Sequence, residues 1–406
     1  MKERRYDIDW LRVIAMLSVF VLHCTRFFDN EDWHLKVPVA QQSEVWAITR
    51  GFILWVWLME LFFFVSGFAT RYSLRRRSGG QYLVERVKRL LIPIYTVGMF
   101  ILVVPQAYFE RLTHGEITGT FWQWLPTFYR GLPAEIFSTP NLLDPVELIP
   151  YTFVGHLWFI FLLFIMSLIA LPLFLYLKSD NGLWLTDRLA DWSVRPGGIF
   201  LFVLPLAIVR VGLMWLPITT DRTWADFLWY ALYFVFGYLI AGDERFTESI
   251  KKHGWLCLGL WVVLFLGVGG LLDIGLGFDL NEGIGFSAVF AIWQITYSII
   301  SWSSVVFLLS VGAKYLNFTN KLLEYSNEAV LPFYLFHQTI ILIVGWFVLP
   351  LDMGNLAKFL IIAVVSFPLI LFLYEAFVRH IGFMRFLFGM APQKKRPAEE
   401  PRLRVA

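Results

Sequence analysis

Arg12 and His23 lie eleven residues apart inside the first apolar segment of the chain, Trp10 to Cys24. At 100° per residue, eleven steps make about three helical turns, so the two side chains share one face roughly 16 Å apart along the axis. The pair offers a permanent cation near one membrane surface and a titratable base deep inside. Ionisable groups at such depth are costly and normally face a bundle interior or a water-filled cavity. The plainer alternative is an arginine snorkelling at a helix end and a histidine bonded to a neighbouring helix. Cys24 adjoins His23, but adjacent helical residues point about 100° apart, so the thiol reads as structural rather than as half of a Cys–His nucleophile.

Glu60 falls in the second apolar segment, in Met59-Glu-Leu-Phe-Phe-Phe-Val-Ser-Gly-Phe68. Counting 1.5 Å per residue from Trp46 puts its carboxylate roughly 20 Å down, at a level between Arg12 and His23. An arginine, a glutamate and a histidine are thus expected to meet in one cavity, where the carboxylate would fix the tautomer of the imidazole and raise its basicity. A buried Glu–Arg pair that only joins two helices is the alternative. His337 approaches the same depth from the opposite side, and His156, in Gly155-His-Leu-Trp158, opens a segment on the outer side and is expected to shape the site. Arg210 is a further intramembrane charge without an obvious sequence partner.

A second kind of chemistry is suggested by residues 71–89, the densest basic stretch, with Arg75, Arg76, Arg86 and Arg89. Arg86 and Arg89 stand at i and i+3, which on a helix projects them together as a fork for phosphate. A loop that only fixes membrane orientation needs charge but not this spacing. Between about 111 and 150 the outer segment carries Trp122 and Trp124, whose faces suit sugar rings, although interfacial aromatic belts have the same composition.

The elements that must position these groups are membrane helices. Of 406 residues, 58% are hydrophobic and 16% charged, far from a soluble domain. Apolar stretches of about 20 residues recur, each able to cross a bilayer. Ten are expected, near 10–29, 46–70, 91–110, 154–177, 198–217, 224–241, 254–273, 284–311, 328–349 and 356–377, giving an all-α polytopic bundle. With both termini cytoplasmic, inner segments hold 25 of the 34 Lys and Arg and outer ones at most seven, the asymmetry that sets orientation. A membrane domain over 1–385 and a disordered cytoplasmic tail over 386–406 follow. The net charge of +3 reads as topology rather than nucleic-acid binding, and two cysteines in apolar spans give neither a disulfide framework nor a zinc spacing.

Arg12 with His23, the Glu60-Leu-Phe-Phe-Phe-Val-Ser66-Gly67-Phe68 run, Arg86-x-x-Arg89 before Pro93, and the His337 segment together resemble the acyltransferase-3 family of membrane O-acyltransferases. The Gly155-His-Leu-Trp-Phe-Ile160 and Leu373-Tyr-Glu-Ala-Phe-Val-Arg379 stretches are most similar to its glucan-succinylating type. That resemblance implies a bacterial inner-membrane enzyme using acyl-CoA from the cytoplasm as co-substrate, without a metal, and a carbohydrate hydroxyl outside as acceptor. It implies His23 as the catalytic histidine, Arg12 as its companion, and Arg86 with Arg89 as donor-binding residues. On this reading Arg12 or a backbone amide stabilises the oxyanion, a contribution typically worth about 3 kcal/mol. The rival reading is a proton-coupled transporter in which Arg12, His23 and Glu60 form a relay; an inactive envelope scaffold is a third. Oligomeric state has no signature in the sequence.

Overall fold

The computed structural model describes residues 4–46, 56–136, 155–213, 224–269 and 288–393. All regular structure among them is helical. The elements that carry the site are α1 (Tyr6–Thr25), α2 (Leu58–Arg76), α3 (Gly79–Thr113), α4 (Phe121–Ile136), α5 (Gly155–Ile169), α6 (Asp180–Ser193), α7 (Gly198–Leu213), α8 (Trp224–Ile240), α9 (Glu244–Gly267), α10 (Ala288–Tyr315), α11 (Lys321–Val348), α12 (Asn355–Arg379) and α13 (Gly382–Leu387).

Among the described residues, six helices are long and apolar enough to cross a membrane: α1, α3, α9, residues Phe290–Tyr315 of α10, α11 and α12. Helices also occupy the other four expected positions. α5, α7 and α8 are shorter, and α2 carries Glu60, Arg71, Arg75 and Arg76 within its length. The protein is a multi-pass membrane protein, because so much apolar helix surface can only be satisfied by lipid.

Two helix pairs frame the interior. α1 and α11 run parallel in fixed register: Arg12 meets Asn327, the Phe20 and Phe333 rings meet edge to face at 5.6 Å, and His23 meets His337. α2 and α8 cross more closely still. A Cβ on Gly67 would lie 1.8 Å from the Phe234 carbonyl oxygen, and one on Gly237 would lie 1.9 Å from that of Phe64. Only glycine allows backbones this near, and such contacts substitute for the hydrophobic drive that lipid removes. Gly67 in the Ser-Gly-Phe element therefore has a packing reason of its own.

α3 departs from regular winding. Ser78 and Gln81 cap its start reciprocally, and then two π-helical stretches, Val87–Leu91 and Ile94–Leu102, flank Pro93. Proline offers no N–H to the ladder, and such wide turns recur at functional sites. Leu157 of α5 packs on the bare backbone of Gly98 within the second stretch.

Two expectations are corrected. Part of the segment expected as an outer loop is helix α4, which accommodates Pro126 and Pro133; residues 137–154 lie outside the described ones. Packing also continues past 386: Phe388 is buried against Phe336, and Gly389 lies against the Arg89 backbone. Arg385 is buried on Glu328 at 2.7 Å, so the packed domain runs to at least 390, and residues 394–406 lie outside the described part.

Candidate active site

His23 stands near the end of α1, half-buried, with Nδ1 2.8 Å from the Val19 carbonyl. A carbonyl can only accept, so Nδ1 carries the proton and Nε2 keeps its lone pair. The His337 ring lies 4.9 Å away, edge-on, and the His156 ring 5.0 Å beyond that. His337 repeats the pattern of His23: its Nδ1 donates to the Tyr334 carbonyl at 2.5 Å, and its buried Nε2 has no partner. His156 takes the opposite tautomer, with Nε2 donating to the Tyr334 and Leu335 carbonyls at 3.2 and 3.1 Å. Its Nδ1 accepts from the Gln106 amide at 3.0 Å. Three imidazoles thus line up, and the lone pairs at His23 and His337 suit proton abstraction.

Local structure explains how His156 gets there. Gly155 has φ of +45°, which a side-chain-bearing residue adopts only with strain, and its Cα faces Gln106 at close range. The chain turns on this glycine directly into α5.

A polar network surrounds the histidines. Gln106 donates to Thr339 at 2.8 Å, Gln338 donates to Gln106 at 3.2 Å, and the Gln338 amide contacts His34 at 2.8 Å. Thr339 donates to the Leu102 carbonyl, one of those in the wide second π stretch. None of these four residues was singled out from the sequence. Gln106 and Gln338 are uncharged amides inside apolar segments, and that was the signal available. Gln106 also borders a cavity of about 400 Å³ between the end of α3 and the segment after α1.

Arg12 occupies the other end of the same helix face. Its guanidinium donates to Asn327 at 2.6 Å and lies 3.4 Å from Asp9. Arg86 turns inward to Thr70 at 2.8 Å and covers the Tyr82 ring, whereas Arg89 is half-exposed and 3.7 Å from Glu85. The two members of the expected i, i+3 fork thus take different partners, and α3 passes into π winding between them. Arg12 and Arg86 still lie close enough to repel Arg89, with Arg77 also in range, so positive charge collects here. Arg75 stacks over Tyr72 and Arg76 is exposed, both at this end.

The structure does not bring Glu60 to His23. Its Oε1 accepts from Trp229 Nε1 at 3.1 Å, and its charged neighbours are Arg210 and Asp226, themselves paired at 3.2 Å. Arg210 lies over the rings of Trp229 and Tyr297. Arg210 thereby gains partners that no sequence spacing revealed. The Arg12–His23–Glu60 relay needed for the transporter reading is not assembled. Nor does Arg12 reach the imidazole, since some three helical turns separate them. Trp124 packs inward on Tyr108 and Phe128, Trp122 is exposed, and Trp158 lies against Tyr230 rather than the histidines.

Residues 5–375 match the family described as Acyltransferase domain, the acyltransferase-3 family. The chain belongs to this family. Membership supports an acyltransferase activity. Curated relatives include Glucans biosynthesis protein C of Escherichia coli (strain K12) and of Escherichia coli O157:H7, each 22% identical over 97% of this chain and 96% of the relative. No solved structure matches the chain.

Proposed function

We propose that this acyltransferase moves an acyl group, succinyl or acetyl, from cytoplasmic acyl-CoA to a hydroxyl of an extracytoplasmic carbohydrate such as a glucan. The carrying observation is the matched register of α1 and α11, which holds a guanidinium with Asn327 at one end and two imidazoles at the other. The interval of roughly 16 Å suits an extended pantetheine arm reaching up from phosphates held below. Arg89, with Arg12, Arg86, Arg75 and Arg76, would receive those phosphates, and Arg75, Arg76 and Arg89 are the exposed members of the set. The relatives named for glucan biosynthesis support the acceptor class.

In the reaction, Nε2 of His23 takes the proton of the acceptor hydroxyl as its oxygen attacks the thioester carbonyl carbon. The carbon–sulfur bond breaks, and the departing thiolate recovers the proton from the imidazolium. A transient acyl-imidazole would use the same nitrogen, because Nδ1 is committed to Val19. Arg12 is a donor-binding residue here and not an oxyanion donor. Glu60 stays outside the reaction. Exposed Trp122 remains open to a sugar ring, while His156 and His337 frame the hydroxyl. Ten passes in a bacterial inner membrane with both termini cytoplasmic put the arginine end toward acyl-CoA, an arrangement supported by the Lys and Arg distribution.

Reconstituted vesicles supplied with acyl-labelled CoA and a glucan acceptor test the proposal. Label should pass to the glucan with wild type and not with His23→Ala. Solute movement without thioester consumption would overturn the proposal in favour of transport.

A further inference from the structure

We infer that the cavity beside Gln106 is the docking cleft for the acceptor, and that its charge selects an uncharged polyhydroxylated chain over an anionic one. The inference rests on the acyl-transfer reading given above. At about 400 Å³ the cleft is within the range of small-ligand sites and has room for a short stretch of oligosaccharide. Its walls carry Asp32, His34, Glu110, Arg111, His114 and Glu116, and its floor is Gln106 with Gly155. The floor is in hydrogen-bond contact with the histidines through Gln106 and His156. Beyond His156 come the rings of His337, 5.0 Å away, and then His23.

Two observations point to the class of ligand. The buried Nε2 of His337, behind His156 rather than on the cleft wall, is an acceptor with nothing to accept from, and a hydroxyl reaching it would supply the donor it lacks. The walls set three carboxylates against one guanidinium and two imidazoles, His114 facing Asp32 at 3.2 Å and His34 facing Glu110 at 3.0 Å, so carboxylates still outnumber the permanent cation. Carboxylates, imidazoles and amides bond well to hydroxyl groups, whereas a carboxylate or phosphate on the ligand would be repelled by the walls. A sugar unit that has gained a succinyl group would carry such a charge, so the cleft would favour unmodified units over those already acylated.

The test uses the full chain in nanodiscs, with a neutral glucan oligosaccharide and its carboxymethylated counterpart as probes. Binding is read by equilibrium dialysis without acyl-CoA, and transfer by label incorporation with it. The neutral probe should bind at least tenfold more tightly. Glu110→Gln with Glu116→Gln should weaken neutral binding several-fold, narrow the gap between probes, and raise the acceptor KM more than it lowers kcat. All three carboxylates are partly or wholly exposed, and Asp32→Asn gives an independent variant. Equal binding of both probes, or transfer with an acceptor KM unmoved by both variants, would overturn the cleft. Neutral glucan bound there with no transfer to any acceptor would instead sink the acyl-transfer reading, and the acceptor role with it.

Discussion

The histidine cluster between α1, α3, α5 and α11 and the Glu60 cluster between α2, α7, α8 and α10 both bury ionisable groups in apolar surroundings, yet they are built for different ends. Around Glu60, opposite charges meet: Arg210 pairs with Asp226 and is held between Trp229 and Tyr297, and Trp229 donates to Glu60. Around His23 the groups are uncharged amides, a hydroxyl and imidazoles whose tautomers are set by backbone carbonyls, and the network reaches a cleft. The Arg210–Asp226 ion pair and the Trp229–Glu60 bond tie helices together. Neutral bases beside a cavity remain available to a substrate. A charge buried in a membrane segment is therefore a functional signal only when its partners leave it something to do.

The sharpest break of this comparison is to strip each cluster of its central group. His23→Ala should lower transfer by about 10²–10⁴-fold, the usual share of a general base. Glu60→Gln keeps the oxygen that accepts from Trp229 and should leave transfer within a few-fold of wild type; label incorporation measures both. Equal losses would place Glu60 in the reaction after all. Next in size, Gly67→Val puts a side chain into the Phe234 carbonyl and must part α2 from α8, at a cost of about 3 kcal/mol or more. Lower yield and an earlier thermal transition would register it, with Glu60 and Trp229 drawn apart.

At the opposite end of α1, Arg89→Ala should raise the KM for acyl-CoA roughly tenfold, the effect of losing one charge-assisted bond of about 1.5 kcal/mol. The increase should shrink at high salt, because half-exposed Arg89 is screened. An unchanged KM would move donor binding elsewhere on the basic face.

The smallest effect is at the cleft rim, where His114 donates to the Glu110 carbonyl at 2.8 Å and faces Asp32 at 3.2 Å. The Glu110 carbonyl first, and then Asp32, raise its pKa above 6.5 despite partial desolvation. A raised histidine stabilises the fold fully below its ordinary pKa and ceases to do so as pH climbs through the raised one. Modification of His114 by diethylpyrocarbonate should therefore set in at higher pH in wild type than in Asp32→Asn, and coincident profiles would show that the pair contributes nothing.

Much of the architecture was legible because apolar runs of about 20 residues admit one solution in lipid, and among the described residues six helices are long and apolar enough to cross it. Helix α4 was hidden because Pro126 and Pro133 in a Trp-rich, Gly-bearing stretch read as loop. The site was legible in part. Helical spacing places Arg12 and His23 on one face, and the structure finds α11 waiting on that face at both ends. Counting residues gives the depth of Glu60 but not which neighbour it faces, and the parallel pairing of α2 with α8 gave it Trp229 instead of His23. Gln106, Gln338, Thr339 and His34 come from separate elements and converge only through packing, which no local spacing encodes.

The wide turns in α3 make Gln106 a matter of phase. Every residue beyond Leu102 is rotated relative to the arginine end by whatever those turns add. Removing a single residue between Ile94 and Leu102 would swing the rest of the helix by about 100°. The amide would then leave His156 even though every side chain in the site was still encoded.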